Sequence, residues 1–137
     1  MVTVILKAVK NDDIEFLYQL LKQRDFRVNI SHKKLPNFSK HEKFVLSKPY
    51  KKWYIIISNK KKIGSIYLTN QDEIGLFLIK EVHNRGIGSK ALDMLMVKHP
   101  KKRFLANVSP LNLQSQKFFK KHGFKLIQYT YELSKKK

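Results

Sequence analysis

His83-Asn84-Arg85-Gly86-Ile87-Gly88-Ser89 follows the apolar run Ile74–Ile79, and this stretch decides the fold. The run is dense in branched and aromatic residues and reads as a strand. Behind the glycines, Ile87, Ala91, Leu92, Leu95 and Met96 repeat at helical spacing, and His99-Pro100 ends that helix. Gly86 and Gly88 accept backbone angles closed to other residues and let a ligand approach the main chain. A helix opening at such a turn aims its first N–H groups and the positive end of its dipole outward, a setting for an anion such as a pyrophosphate.

A second segment lies about two dozen residues on: Asn112-Leu113-Gln114-Ser115-Gln116-Lys117-Phe118-Phe119-Lys120-Lys121-His122-Gly123-Phe124. The spacing predicts a helix over Leu111–His122, closed by Gly123 as a C-cap. A long strand, Phe124–Leu133, is expected after it.

Working outward, Val2–Val9 reads as a first strand. Asn11 and Asp12 supply cap chemistry for a helix running to about Arg24. On that helix Ile14, Leu17, Tyr18 and Leu21 share a face, widened by Phe16 and Leu20. Residues 25–50 carry the weakest pattern. Ser39 with Glu42 forms a capping box for a short helix over Lys40–Leu46, and Pro49 lies past its end. Trp53–Ser58, Ile63–Thr69 and Glu73–Ile79 are three strands joined by turns at Asn59–Lys62 and Asn70-Gln71-Asp72, an antiparallel meander. Arg103–Val108 is a further strand. The order β-α-α-β-β-β-α-β-α-β argues for an α/β fold, a mixed sandwich around a central sheet.

The chain has 137 residues, which suits one domain spanning 1–137. It has no run of eighteen apolar residues, so no transmembrane helix and no membrane partner are expected. The opening Met1-Val2-Thr3-Val4-Ile5-Leu6-Lys7 is too short an apolar run for a signal peptide and lacks a basic start. Cysteine is absent, which excludes disulfides, thiolate metal sites and cysteine nucleophiles and fits the cytoplasm. No histidine pair has metal-ligand spacing, so no metal is expected.

A formal net charge of +19 attracts polyanions: nucleic acid, an anionic membrane face or a phosphate-rich cofactor. The basic residues are spread along the chain, at Lys33-Lys34, Lys51-Lys52, Lys60-Lys61-Lys62, Lys101-Lys102-Arg103, Lys120-Lys121 and Lys135-Lys136-Lys137. That spread favours solvated surface over a dedicated nucleic-acid face.

Two familiar phosphate-binding loops do not fit. A dinucleotide fingerprint needs a third glycine and an acidic residue about twenty positions on, within a parallel βαβ unit. A P-loop needs a Gly-Lys-Ser/Thr triplet, and none occurs. Nor is there a Gly-x-Ser-x-Gly nucleophile elbow, so no covalent acyl-enzyme is expected.

Taken together, the two segments resemble the acyl-CoA-binding motifs of the GCN5-related N-acetyltransferase (GNAT) family. The first family motif is Gln or Arg, two residues, Gly, any residue, Gly or Ala, after a strand. Here His83 stands at the Gln or Arg position, followed by Asn84, Arg85, Gly86, Ile87 and Gly88. The second begins with Asn, then a small residue, then an aromatic that is commonly Tyr, then Gly-Phe. Here these are Asn112, Ser115, Phe119 and Gly123-Phe124.

The resemblance implies a mixed, mostly antiparallel sheet flanked by helices and splayed between its fourth and fifth strands. It implies acetyl-CoA as co-substrate and a primary amine as acceptor, in a monomer or homodimer. Main-chain groups of Phe77 and Leu78 would hold the pantetheine arm. Amides of Asn84, Arg85, Gly86, Ile87, Gly88 and Ser89 would hold the pyrophosphate. Asn112 would reach the pantetheine from the far side of the splay, where its simpler role is a helix cap. Phe119 stands where relatives carry a tyrosine acid, so that proton donor is missing. Lys117, Lys120 and Lys121 would lie toward the 3′-phosphate.

The Leu78 N–H would be the oxyanion donor. Glu73, at the head of the fourth strand, is the candidate general base, with His83, His32 and His41 as alternatives. The acceptor region would cover Asn29-Ile30-Ser31-His32, His41-Glu42, Tyr50 and Trp53, which resembles that of members acting on nucleotide-linked amino sugars. Rival readings are a basic nucleic-acid-binding module and an inactive acyl-CoA sensor on the same fold.

Overall fold

The computed structural model describes residues 3–24, 34–83 and 85–135. Strand β1 is Ile5–Ala8, and a 3-10 turn over Asn11–Asp13 leads into α1, Ile14–Lys22. Helix α2 is Phe38–Leu46. The strands β2 (Lys52–Ser58), β3 (Lys61–Leu68) and β4 (Ile74–Leu78) follow. Helix α3 is Ile87–Lys98 and α4 is Leu113–Lys121. The four strands form one antiparallel sheet in the order β1-β2-β3-β4.

Strand alternation divides the side chains between two faces. Tyr54, Ile56, Ile66, Leu68, Ile74, Leu76 and Leu78 meet the buried side of α3, namely Ile87, Ala91, Leu92 and Leu95. On the other face Ile55 and Trp53 meet Ile14 and Leu17 of α1 and Val45 of α2. The β2–β3 hairpin turns on Asn59 and Lys60 alone, with φ of 51° and 65°. Two successive left-handed residues match the twist of the flanking strands. Further along, a bulge opposite Ile56 and Ile57 places the extra residue Ile63 in the α3-side core.

The caps differ from expectation. Asn11 and Asp12 lie in the 3-10 turn, and the buried Asp13 carries the chemistry instead. Its carboxylate accepts from the Lys10 N–H at 2.8 Å and pairs with Lys62 Nζ at 2.7 Å. Helix α2 starts earlier than Lys40, because Asn37, not Ser39 with Glu42, accepts the Lys40 N–H at 2.8 Å.

The larger difference is at the C-terminal end. The expected strand Arg103–Val108 is reduced to one parallel bridge, Glu73 to Leu105, made by Ile74 N–H to Leu105 O (2.7 Å) and Leu105 N–H to Asp72 O (3.0 Å). The expected strand Phe124–Leu133 joins no ladder among the described residues. Leu126, Ile127, Tyr129, Tyr131 and Leu133 are exposed. Their alternation meets the local requirement of a strand, but a ladder also needs a neighbour in register.

Candidate active site

Strand β4 organises the site. Its pairing with β3 is bracketed by Thr69 N–H to Glu73 O (2.9 Å) and Ile79 N–H to Ile63 O (2.9 Å). Antiparallel hydrogen bonding alternates, so the main-chain groups of residues 73, 75, 77 and 79 face β3. Those of Ile74, Leu76 and Leu78 face the opposite edge. There Ile74 is bonded to Leu105, and no further ladder partner follows beside Leu76 or Leu78 among the described residues. The sheet therefore parts just beyond the Glu73–Leu105 bridge.

This register separates two residues that the sequence groups together. The Leu78 N–H points to the open edge, and the Leu78 carbonyl lies 3.1 Å from His83 Nε2. Phe77 directs its main chain at its partner Ser65 and its side chain into a cavity. The open-edge partner of Leu78 is Leu76, which sequence reading passed over although strand parity alone identifies it.

At the end of this edge the chain turns into α3. Gly86 has φ of 75°, a left-handed conformation that disfavours any side chain, and no side chain caps the helix behind it. The N–H groups of Ile87, Gly88 and Ser89 thus begin α3 without a capping acceptor. Gly88 is buried for a different reason. A Cβ there would touch Phe118 at 3.4 Å and Leu76 at 3.5 Å, so hydrogen at this position lets α3 sit close on β4 and α4. Ser89 Oγ lies 2.9 Å from His122 Nε2, tying the first turn of α3 to the end of α4. Arg85 is exposed, and Asn84 lies outside the described residues.

Asn112 caps α4, its Oδ1 accepting the Ser115 N–H at 3.1 Å. Phe119 packs edge-on against Phe118 and Phe124. Glu73 has both carboxylate oxygens engaged, one by Thr69 Oγ1 (3.1 Å) and one by Asn107 Nδ2 (2.7 Å). It clamps the β3–β4 turn to the 105–107 segment and does not line the cavity.

The cavity, about 320 Å³, lies on the other face of the sheet, between α1, α2 and strands β2–β4. Its wall is aromatic. Tyr50 and Tyr67 stack in parallel with ring centres 3.7 Å apart, and Trp53 meets Tyr50 edge-on at 4.8 Å. Tyr67 lies across Gly75, where any Cβ would run into its ring. Burial pushes both tyrosine hydroxyls up, so they stay protonated at neutral pH. His41, also on the wall, is held below the usual imidazole range by burial, partly offset by its bond to the Ile14 carbonyl at 3.2 Å. Arg24 reaches in from the end of α1, its guanidinium 4.0 Å from the centre of the Phe77 ring.

The sequence pointed to Tyr50, Trp53 and His41 here. It did not point to Arg24 or Tyr67, although Tyr67 shares strand parity with Ser65 on the face opposite Ile66 and Leu68. Asn29, Ile30, Ser31 and His32 lie outside the described residues. Among the described residues no three His, Asp or Glu side chains form a metal-ligand group. None of the helices there is long and apolar enough to cross a membrane.

Known proteins share this architecture. A domain from Methanocaldococcus jannaschii superposes with a TM-score of 0.84 at 19% identity, covering 96% of this chain and 94% of its own. A ribosomal L7/L12 alpha-N-protein acetyltransferase in complex with coenzyme A gives 0.76 at 19% identity, with coverage of 92% and 82%. The spermidine/spermine N-acetyltransferase of Vibrio cholerae gives 0.69 at 16% identity, with coverage of 89% and 79%. At these identities the likeness is one of fold. No curated protein matches by sequence. The profile of the acetyltransferase (GNAT) domain, however, matches residues 3–125. A parted β4 edge, a glycine-led α3 and a profile match over most of the sequence agree, and the chain belongs to the GNAT acetyltransferase family.

Proposed function

We propose that this protein is a single-domain N-acetyltransferase that moves an acetyl group from acetyl-CoA directly to a primary amine, working in the cytoplasm as a monomer or homodimer. The acceptor suggested by the sequence is an amino sugar, free or nucleotide-linked. The observation that carries the reading is the open edge of β4 leading into the uncapped start of α3 behind Gly86. Leu76 and Leu78 offer main-chain groups to a strand-like pantetheine arm, and the first turn of α3 offers N–H groups to a diphosphate. Asn84, Arg85 and Gly86 complete that turn, with Asn112 and Phe119 across the splay.

When bound, the cofactor supplies a thioester carbonyl. The Leu78 N–H stabilises the charge that develops on its oxygen. Phe119 has no proton to give. A thiol of pKa about 8.5 leaves as thiolate near neutral pH for about 2 kcal/mol, so the step runs without that acid. Glu73 is the proposed base through water, and His41, uncharged and on the cavity wall, is its competitor.

A thermal-shift titration tests the reading. Acetyl-CoA at a hundred times its Kd should stabilise the protein by about 2.7 kcal/mol, and no shift at millimolar cofactor overturns it. Phe119 favours one rival, an inactive sensor. Cofactor binding with no thiol release across an amine panel would select the sensor over the enzyme.

A further inference from the structure

Resting on the acetyltransferase reading, we propose that the cavity takes an acceptor amine whose carrier bears an anionic group, carboxylate or phosphate, beside a flat or apolar body. Three observations carry this. The wall formed by Tyr50, Trp53, Tyr67 and Phe77 offers stacking surface, with uncharged hydroxyls as its polar points. Arg24 and Lys40 line the same cavity, and no described lining residue is Asp or Glu. The Arg24 guanidinium lies against an aromatic ring in a partly buried place, where its field acts through less water than at the surface.

An anion entering this space meets a forked guanidinium suited to carboxylate or phosphate. A polycation meets like charge and no lining carboxylate. The volume also restricts the carrier. At about 320 Å³ the cavity stands at the small end of ligand sites and suits a single ring bearing its amine and its anion. The position suits transfer, because Phe77 lines the cavity while its neighbour Leu78 turns its N–H to the open edge. In the step the amine nitrogen bonds to the thioester carbonyl carbon as the C–S bond breaks. The nitrogen releases one proton, and the sulfur leaves with the electron pair.

Two matched pairs of probes separate the sources of the anion: glucosamine with glucosamine 6-phosphate, and phenylalanine amide with phenylalanine. Calorimetric Kd values, measured with coenzyme A present, are the primary readout, and thiol release is the second. The anionic member of at least one pair should bind at least tenfold more tightly than its partner, and spermidine should bind more weakly than either anion. Arg24→Met should reduce that preference to near unity, Arg24→Lys should retain part of it, and the coenzyme A thermal shift should stay unchanged in both. Preference for the uncharged or cationic probes, binding of none, or a preference untouched in R24M while coenzyme A still binds would overturn the proposal. If the anionic probe binds as expected but no thiol is released, the acetyltransferase reading fails and the cavity's ligand class stands.

Discussion

The sheet and the segment after α3 are built from similar residues and end differently. In β2 and β3, every branched or aromatic residue has a neighbour supplied by a tight hairpin, and the inner side chains Ile55, Ile56, Ile66 and Leu68 are fully buried. In Phe124–Leu133 the same alternation leaves Tyr129 at 74% and Tyr131 at 89% exposure. Local pattern thus makes a segment able to be a strand, and a partner close in sequence makes it one.

The contrast can be broken most forcefully in the sheet. Ile66→Ala should lower unfolding free energy by about 3 kcal/mol, because a fully buried side chain leaves a cavity. Tyr131→Ala should stay within about 0.5 kcal/mol of the parent, as expected of a solvated position. Urea denaturation of both variants measures the difference. Equal effects would show that the last segment is packed in solution.

Asp13→Ala is the next largest. It removes a buried carboxylate that joins the Lys10 N–H to Lys62, and a charge-assisted bond of this kind contributes about 2 kcal/mol. The same denaturation curves read it. Lys60→Gly sharpens the hairpin side of the comparison: glycine relieves the left-handed strain and should stabilise by about 0.5–1 kcal/mol, seen as a raised Tm.

The shallowest effect is that of pH. Burial holds His41 below its ordinary value, and His99 is lowered by burial and then by the surrounding lysines. As pH falls, the unfolded chain therefore takes up protons first. Their contribution is complete above about pH 6.5 and is lost as pH drops through the interval down to the folded values. Tm should decline over that interval, less so in His41→Gln. A Tm that rises on acidification would contradict the burial of these rings.

This contrast also sets what the sequence could disclose. The meander, α1 and α3 were legible because periodicity and short turns state both the element and its neighbour. The glycine-led α3 was legible because Gly86 needs a conformation few residues accept. Less was legible in the site. Glu73 stood at the expected place, but its two hydrogen-bond partners, Thr69 and Asn107, depend on how the 105 segment returns to the sheet. Arg24 was hidden for a similar reason. Nothing in the pattern of α1 says that its last turn ends over the ring of Phe77, more than fifty positions away.

One property of β4 reaches beyond any single residue. Its even-numbered peptides address one neighbour while its odd-numbered side chains address another, on opposite sides of a ribbon one strand wide. Losing or gaining a single position between Gly75 and Leu78 would exchange the two audiences at once. Such a strand tolerates a change of letters far better than a change of count, and variation in this part of the protein should therefore come as replacements and not as insertions or deletions.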